Sequence, residues 1–112
     1  MPSPSRLGDT SEGGDSSRLS TEAGRLAATV RGRVQGVGFR RYVRGWARKL
    51  DLAGWVRNEA DGSVRLVAEG DPDALDRLVR LLHGGPPTAV VESVDPERGD
   101  ATGEFDGFEV RH

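Results

Sequence analysis

Between Leu26 and Val34 apolar and polar positions alternate. Leu26, Ala28, Val30, Gly32 and Val34 fall on one side of an extended chain, and Ala27, Thr29, Arg31 and Arg33 on the other. A period of two predicts a strand with one buried face. The period then changes. Phe39, Val43, Trp46, Ala47 and Leu50 recur at helical spacing, which predicts a helix whose basic residues lie on its solvated side. Ala53 to Asn58 (AGWVRN) reads as a second strand, and the Asp61-Gly62 pair as a hairpin turn into a third, Ser63 to Glu69. GDPDAL opens a second helix, with Asp71 as its N-cap and Pro72 in its first position. Leu75, Leu78, Val79 and Leu82 form the apolar stripe, and HGGPP ends it. Thr88 to Asp95 is a fourth predicted strand, and a short closing strand lies around Phe108 and Val110.

The order β-α-β-β-α-β with a short final strand predicts an α+β fold, the ferredoxin-like sandwich of two helices on one face of a largely antiparallel sheet. A right-handed crossover makes the first two strands parallel, so their carboxyl ends share one edge of the sheet. The turn QGVGFR leaves one of those ends and Asn58 sits at the other. Residues about 20 positions apart are thus predicted neighbours.

The 112 residues suffice for one domain. Residues 1–25 are rich in Ser, Gly and scattered charge, and only Leu7 and Leu19 are large and apolar after Met1. Such a segment buries too little surface to offset its ordering entropy, so a disordered tail is expected there and a folded domain over 26–112. The chain has no cysteine, which excludes disulfides, thiolate metal sites and cysteine nucleophiles. No apolar run approaches the roughly 20 residues that span a bilayer, and no secretory signal pattern opens the chain. The expected location is the cytoplasm, without membrane contact.

Charge changes the picture locally. The formal net charge is −2, yet residues 31–50 hold seven cations and no acid: Arg31, Arg33, Arg40, Arg41, Arg44, Arg48 and Lys49. Inside this run, where strand pattern gives way to helix pattern, Gly36 and Gly38 permit conformations closed to other residues and leave the backbone bare. Such a turn can aim several N–H groups into one concavity at the positive end of a helix, with the Arg40 guanidinium folding back over it. A tetrahedral oxyanion, phosphate above all, suits that donor set. Taken alone, QGVG is equally well a glycine turn ahead of a solvated basic helix face.

Two longer stretches decide between these. VRGRVQGVGFR (residues 30–40) and GWVRNEADGSVRLVAEG (residues 54–70), with the closing GFEVR, resemble the signature segments of the acylphosphatase family, over roughly Leu26 to Arg111. The resemblance implies hydrolysis of a small-molecule acyl phosphate to a carboxylate and inorganic phosphate, with no metal and no cofactor. It further implies that Arg40 binds the phosphoryl group and that Asn58 orients the attacking water. The backbone of Gln35, Gly36, Val37, Gly38 and Phe39 would then form the phosphate cradle. Glu59 departs from the pattern, since many relatives carry Thr or Ser there; a carboxylate near an anion site would weaken binding or slow the reaction. An acyl phosphate has a good leaving group, so the chemistry needs placed water and stabilised phosphoryl charge rather than a strong base.

The remaining candidates are weaker. His83 and His112, the only imidazoles, have no second ligand nearby in sequence and read as capping or exposed residues. Trp46 fits the helix's apolar stripe, and Trp55 reads as strand packing. RNA-recognition domains share the element order but stack bases on strand aromatics, and Leu26–Val34 and Ser63–Glu69 contain none. After residue 50 the chain has 6 cations against 14 acids, which opposes a nucleic-acid footprint. A non-catalytic acyl-phosphate-binding module is the other alternative, set against the enzyme because both implied catalytic positions are filled. A monomer is the simple expectation for assembly.

Overall fold

Alternate residues of the first predicted strand are buried: Leu26, Ala28 and Val30 expose no surface and Val34 almost none, while Gly32 is partly exposed. The computed structural model describes residues 23–112. It consists of β1 (Gly24–Arg33), α1 (Phe39–Lys49), β2 (Ala53–Asn58), β3 (Val64–Gly70), α2 (Pro72–Gly84), β4 (Val90–Asp100) and β5 (Phe108–Arg111). The sheet runs in the order β4-β1-β3-β2-β5. β1 and β2 both pair antiparallel with β3, β4 pairs antiparallel with β1, and β5 is parallel to β2. This is the ferredoxin-like α+β sandwich.

The core lies between the helices and the sheet. Phe39, Val43 and Ala47 of α1 and Leu75, Leu78 and Leu82 of α2 meet Leu26, Val30, Val56, Val64 and Leu66 there. Removing this apolar surface from water is the main favourable term of folding. The Tyr42 hydroxyl donates to the Leu81 carbonyl at 2.8 Å and ties the two helices together. Asp71 caps α2 through the Asp73 amide at 2.8 Å, with Pro72 in the first turn, as the spacing predicts. Trp46 is half-buried against the core rather than inside it, and Lys49 lies 5.0 Å over its ring.

Several strand boundaries differ from the sequence reading; β4, expected from Thr88, starts at Val90. β1 starts at Gly24, because Gly24 and Arg25 pair with Gly70 and Glu69 on one side and with Asp100 and Gly99 on the other. Of the expected tail, residues 1–22 lie outside the described residues. β4 continues past Asp95 to Asp100. Pro96 reads as a strand breaker, but β4 is an edge strand, where a missing N–H need not break a ladder bond.

The connection from β4 to β5 must pass from one edge of the sheet to the other, and Glu69 pins it. Its buried carboxylate accepts from Arg25 Nη1 at 2.7 Å, from the Thr102 amide and hydroxyl at 3.0 Å each, and from the Gly103 amide at 3.0 Å. Burial alone would raise its pKa, but the bonds from Thr102, Gly103 and Arg25 outweigh it and hold the carboxyl below its ordinary value. A depressed carboxyl pKa contributes stability above the unfolded pKa and loses it as pH falls through the folded one. Glu69→Gln is therefore expected to cost about 1–3 kcal/mol at pH 7 by leaving buried donors mismatched. The gap between parent and variant should close as pH drops below about 4. Denaturant melts at pH 7 and pH 3 check this; a gap that widened in acid would contradict it.

Candidate active site

Gly36 and Gly38 have φ of 74° and 80°, in the left-handed region that costs other residues about 1–2 kcal/mol. A Cβ at either would meet nothing within 4 Å, so the turn requires glycine for its backbone path, and the space beside it is open. Gly38 is the N-cap of α1 and supplies no side-chain cap, which leaves the first N–H groups of the helix without one. Among the described residues no N–H from Gln35 to Gly38 reaches a backbone carbonyl. Two of the turn's carbonyls, by contrast, are taken: Val37 O accepts from the Thr88 hydroxyl at 2.6 Å and Gly38 O from the Tyr42 amide at 3.0 Å.

Three anchors fix this turn. Phe39 is buried in the core, Thr88 holds Val37 from the turn ahead of β4, and Gln35 reaches across to the β2–β3 hairpin. Gln35 Nε2 donates to the Glu59 carbonyl at 2.7 Å and the Ser63 carbonyl at 2.9 Å. The hairpin is itself held by Asp61, which accepts from the Ser63 amide at 2.9 Å and its hydroxyl at 2.5 Å. Those two bonds from Ser63, with one from Arg31, hold the Asp61 carboxyl down to about 2.

Asn58 ends β2 on the side of the sheet that carries Gly54 and Val56, both buried. Its Oδ1 is buried and has no hydrogen-bond partner among the described residues. An unsatisfied buried acceptor costs about 1–3 kcal/mol, so native proteins keep few of them. Asn58, Gly36, Gly38 and Arg40 line one cavity of about 740 Å³. Val34, Phe39, Arg41, Arg44, Arg48 and Val110 complete most of its wall. Gln35 and Val37 are not among its lining residues; the Gln35 side chain and the Val37 carbonyl serve in the anchoring just described. Arg40 is positioned by the end of β5, where its Nη1 donates to the Arg111 carbonyl at 3.1 Å and lies 3.2 Å from His112 Nδ1. Arg48 donates to the Phe108 carbonyl at 3.0 and 3.2 Å. The acid at this wall, Glu109, is engaged by Arg111 Nε at 2.7 Å.

The basic run of the sequence thus divides. Arg40, Arg41, Arg44 and Arg48 face the cavity, whereas Arg31 pairs with Asp61 at 3.1 Å and Lys49 covers Trp46. Glu59 is placed differently from the sequence expectation. Strand alternation turns it to the face opposite Asn58, where it accepts from Arg57 Nε at 2.6 Å, and it does not line the cavity. Trp55 shares that face, with the Arg57 and Arg111 guanidinium groups 4.7 and 5.2 Å from its ring. The Gln35 side chain, Thr88 and the β5 carbonyl that holds Arg40 escaped the sequence reading. Only the closing GFEVR hinted at the last, since a final strand beside β2 must end near Asn58.

An α+β sandwich with a cationic cavity at the carboxyl ends of β1 and β2 is the frame into which the comparisons with known proteins fall. The acylphosphatase family profile matches residues 26–110. An acylphosphatase of Salinibacter ruber is 59% identical over 87 residues, covering 78% of this chain and 92% of that one. One from Rubrobacter xylanophilus is 48% identical over 106 residues, 95% of this chain and 94% of the relative. The crystal structure of an acylphosphatase from Bacillus subtilis superposes with a TM-score of 0.77 at 36% identity, covering 80% of this chain and 99% of that chain. The chain belongs to the acylphosphatase family. Its activity is that of an acylphosphatase, a hydrolase.

Because Glu59 is paired and turned from the cavity, Glu59→Thr is expected to change kcat/KM for benzoyl phosphate by no more than about twofold. Steady-state kinetics checks this. A rise of tenfold or more would mean that the carboxylate acts on the cavity after all.

Proposed function

We propose that the cavity hydrolyses small-molecule acyl phosphates by direct attack of water on phosphorus, with Arg40 and the 35–39 backbone holding the phosphoryl group and Asn58 directing the water. One observation carries this reading: open N–H donors, a guanidinium and a buried acceptor without a partner converge on a single cavity. The phosphoryl oxygens would take the N–H groups and Arg40, donors that are fixed before the substrate arrives. Oδ1 of Asn58 would accept a hydrogen bond from the water, aiming the lone pair of the water along the line of the bond to be broken. The water oxygen bonds to phosphorus and the bond from phosphorus to the acyl oxygen breaks. The carboxylate leaves with that electron pair, and the water's proton passes to the phosphate product or solvent. Because the leaving carboxylate is already stable, no strong base is required.

We take a monomer as the working unit. No helix among the described residues is long and apolar enough to cross a membrane, and we place the enzyme in the cytoplasm. We take the catalytic unit to begin at β1, with the residues ahead of it as a tail. The mechanism uses neither metal nor cofactor.

Two substitutions separate the roles. Arg40→Ala is expected to lose turnover by about 10²–10³-fold and phosphate affinity with it. Arg40→Lys, which keeps the charge but not the planar fork, should recover little. Asn58→Ala removes the buried acceptor but spares the donors. Turnover should fall on the order of 10²-fold while phosphate affinity and melting temperature hold or rise slightly. Kinetics with benzoyl phosphate in excess chelator, beside calorimetry with inorganic phosphate, reads all of these. Loss of activity in chelator, or an Asn58→Ala enzyme that loses phosphate binding as badly as Arg40→Ala, would defeat the division of roles.

A further inference from the structure

We propose that the outer part of the same cavity is a second anion subsite, centred on Arg44 and flanked by Arg41 and Arg48, which selects acyl phosphates whose acyl chain ends in a carboxylate. The inference rests on the reading of the cavity as the acyl phosphate site. A cavity of about 740 Å³ is of the size that holds a whole small molecule, and a phosphoryl group held beside Gly36, Gly38 and Arg40 would fill only that end of it. The wall beyond that end is not apolar, as an acyl pocket for a hydrocarbon chain would be. It includes three arginines, Arg41, Arg44 and Arg48, beside Glu109, Val110 and His112.

Helix geometry sets the spacing. Arg40, Arg44 and Arg48 are four residues apart on α1, so they lie along one face at steps of about 6 Å. If Arg40 holds the phosphoryl group, Arg44 stands one turn further along, within reach of the far end of a short acyl chain. Arg48 is already committed to the Phe108 carbonyl. Arg44, which is half-buried, and the exposed Arg41 make no side-chain hydrogen bond or ion pair among the described residues. The wall's acid, Glu109, is held by Arg111 and does not neutralise them. Parallel cations crowded on a helix repel one another, and a bound carboxylate would relieve that repulsion. A guanidinium fork is also the side chain best matched to a carboxylate.

The test compares two substrates that share the phosphoryl group and differ at the far end of the acyl chain. Benzoyl phosphate carries no second charge and succinyl phosphate carries a carboxylate. The readout is the ratio of their kcat/KM values, succinyl over benzoyl, in the parent, in Arg44→Gln and in Arg44→Glu. A loss of general attraction for anions lowers both values and leaves the ratio alone. The expected ratio falls about tenfold in Arg44→Gln and further in Arg44→Glu. Turnover of benzoyl phosphate by the variants also reports that they are folded. A ratio within about twofold of the parent's in both variants overturns the subsite and leaves the acylphosphatase reading standing. A parent enzyme that does not hydrolyse benzoyl phosphate overturns both.

Discussion

Because β1 and β2 both pair antiparallel with β3, their carboxyl ends open at one rim of the sheet. Everything at the cavity depends on that constraint. It brings a glycine turn and an asparagine to the same place from opposite sides of the α1 crossover. Pairing alone would set their proximity only loosely, and the Gln35 amide tightens it. Its two bonds to the hairpin carbonyls of Glu59 and Ser63 lock the exit of β1 to the exit of β2. β5, parallel to β2, delivers a third end to the rim, and its Arg111 carbonyl fixes Arg40. The pin at Glu69 matters to the far end of the molecule for this reason: it secures the connection through which β5 is placed.

The electrostatics follow from the same arrangement. A chain of net charge −2 builds a cationic cavity by segregation rather than by excess. Arg31, Arg57 and Arg98 are each paired with an acid elsewhere on the surface and Arg111 engages Glu109 at the cavity wall, while Arg40, Arg41, Arg44 and Arg48 share that wall. Such a wall concentrates anions near the turn and speeds their encounter. The open N–H groups of the turn add to it at the helix's positive end. Leaving the buried Asn58 Oδ1 without a protein partner costs stability, and sites that sacrifice stability in this way are where function is to be sought.

Much of this was legible in the sequence because the local signals agree with one another. The change from period two to period 3.6 at Gly36–Gly38 marks the end of β1 and the start of α1, and Asp71-Pro72 marks α2 without any tertiary help. The handedness of the crossover was enough to put Asn58 beside the turn. What escaped depends on contacts distant in sequence. Gly24 and Arg25 look like linker residues and are strand only because Gly70, Glu69, Gly99 and Asp100 lie opposite them. Pro96 looks like a strand end and is not, because its strand is at the sheet's edge. Gln35, singled out for its backbone, works through its side chain, and nothing in its neighbours announces that. Glu59 is the instructive case: alternation along AGWVRNE already sets it opposite Asn58, so its harmless orientation could have been read.

The central claim is that the backbone amides of the glycine turn, with Arg40 and Asn58, form one phosphate-binding site. A titration with inorganic phosphate followed by ¹H–¹⁵N NMR tests it most directly, against chloride at equal ionic strength. The amides from Gly36 to Arg40 and the Asn58 side-chain amide should shift together along one saturable curve, and the Trp55 indole on the opposite face should stay still. Saturable shifts confined to other arginine-bearing surfaces, or none at Gly36 to Arg40, would contradict it.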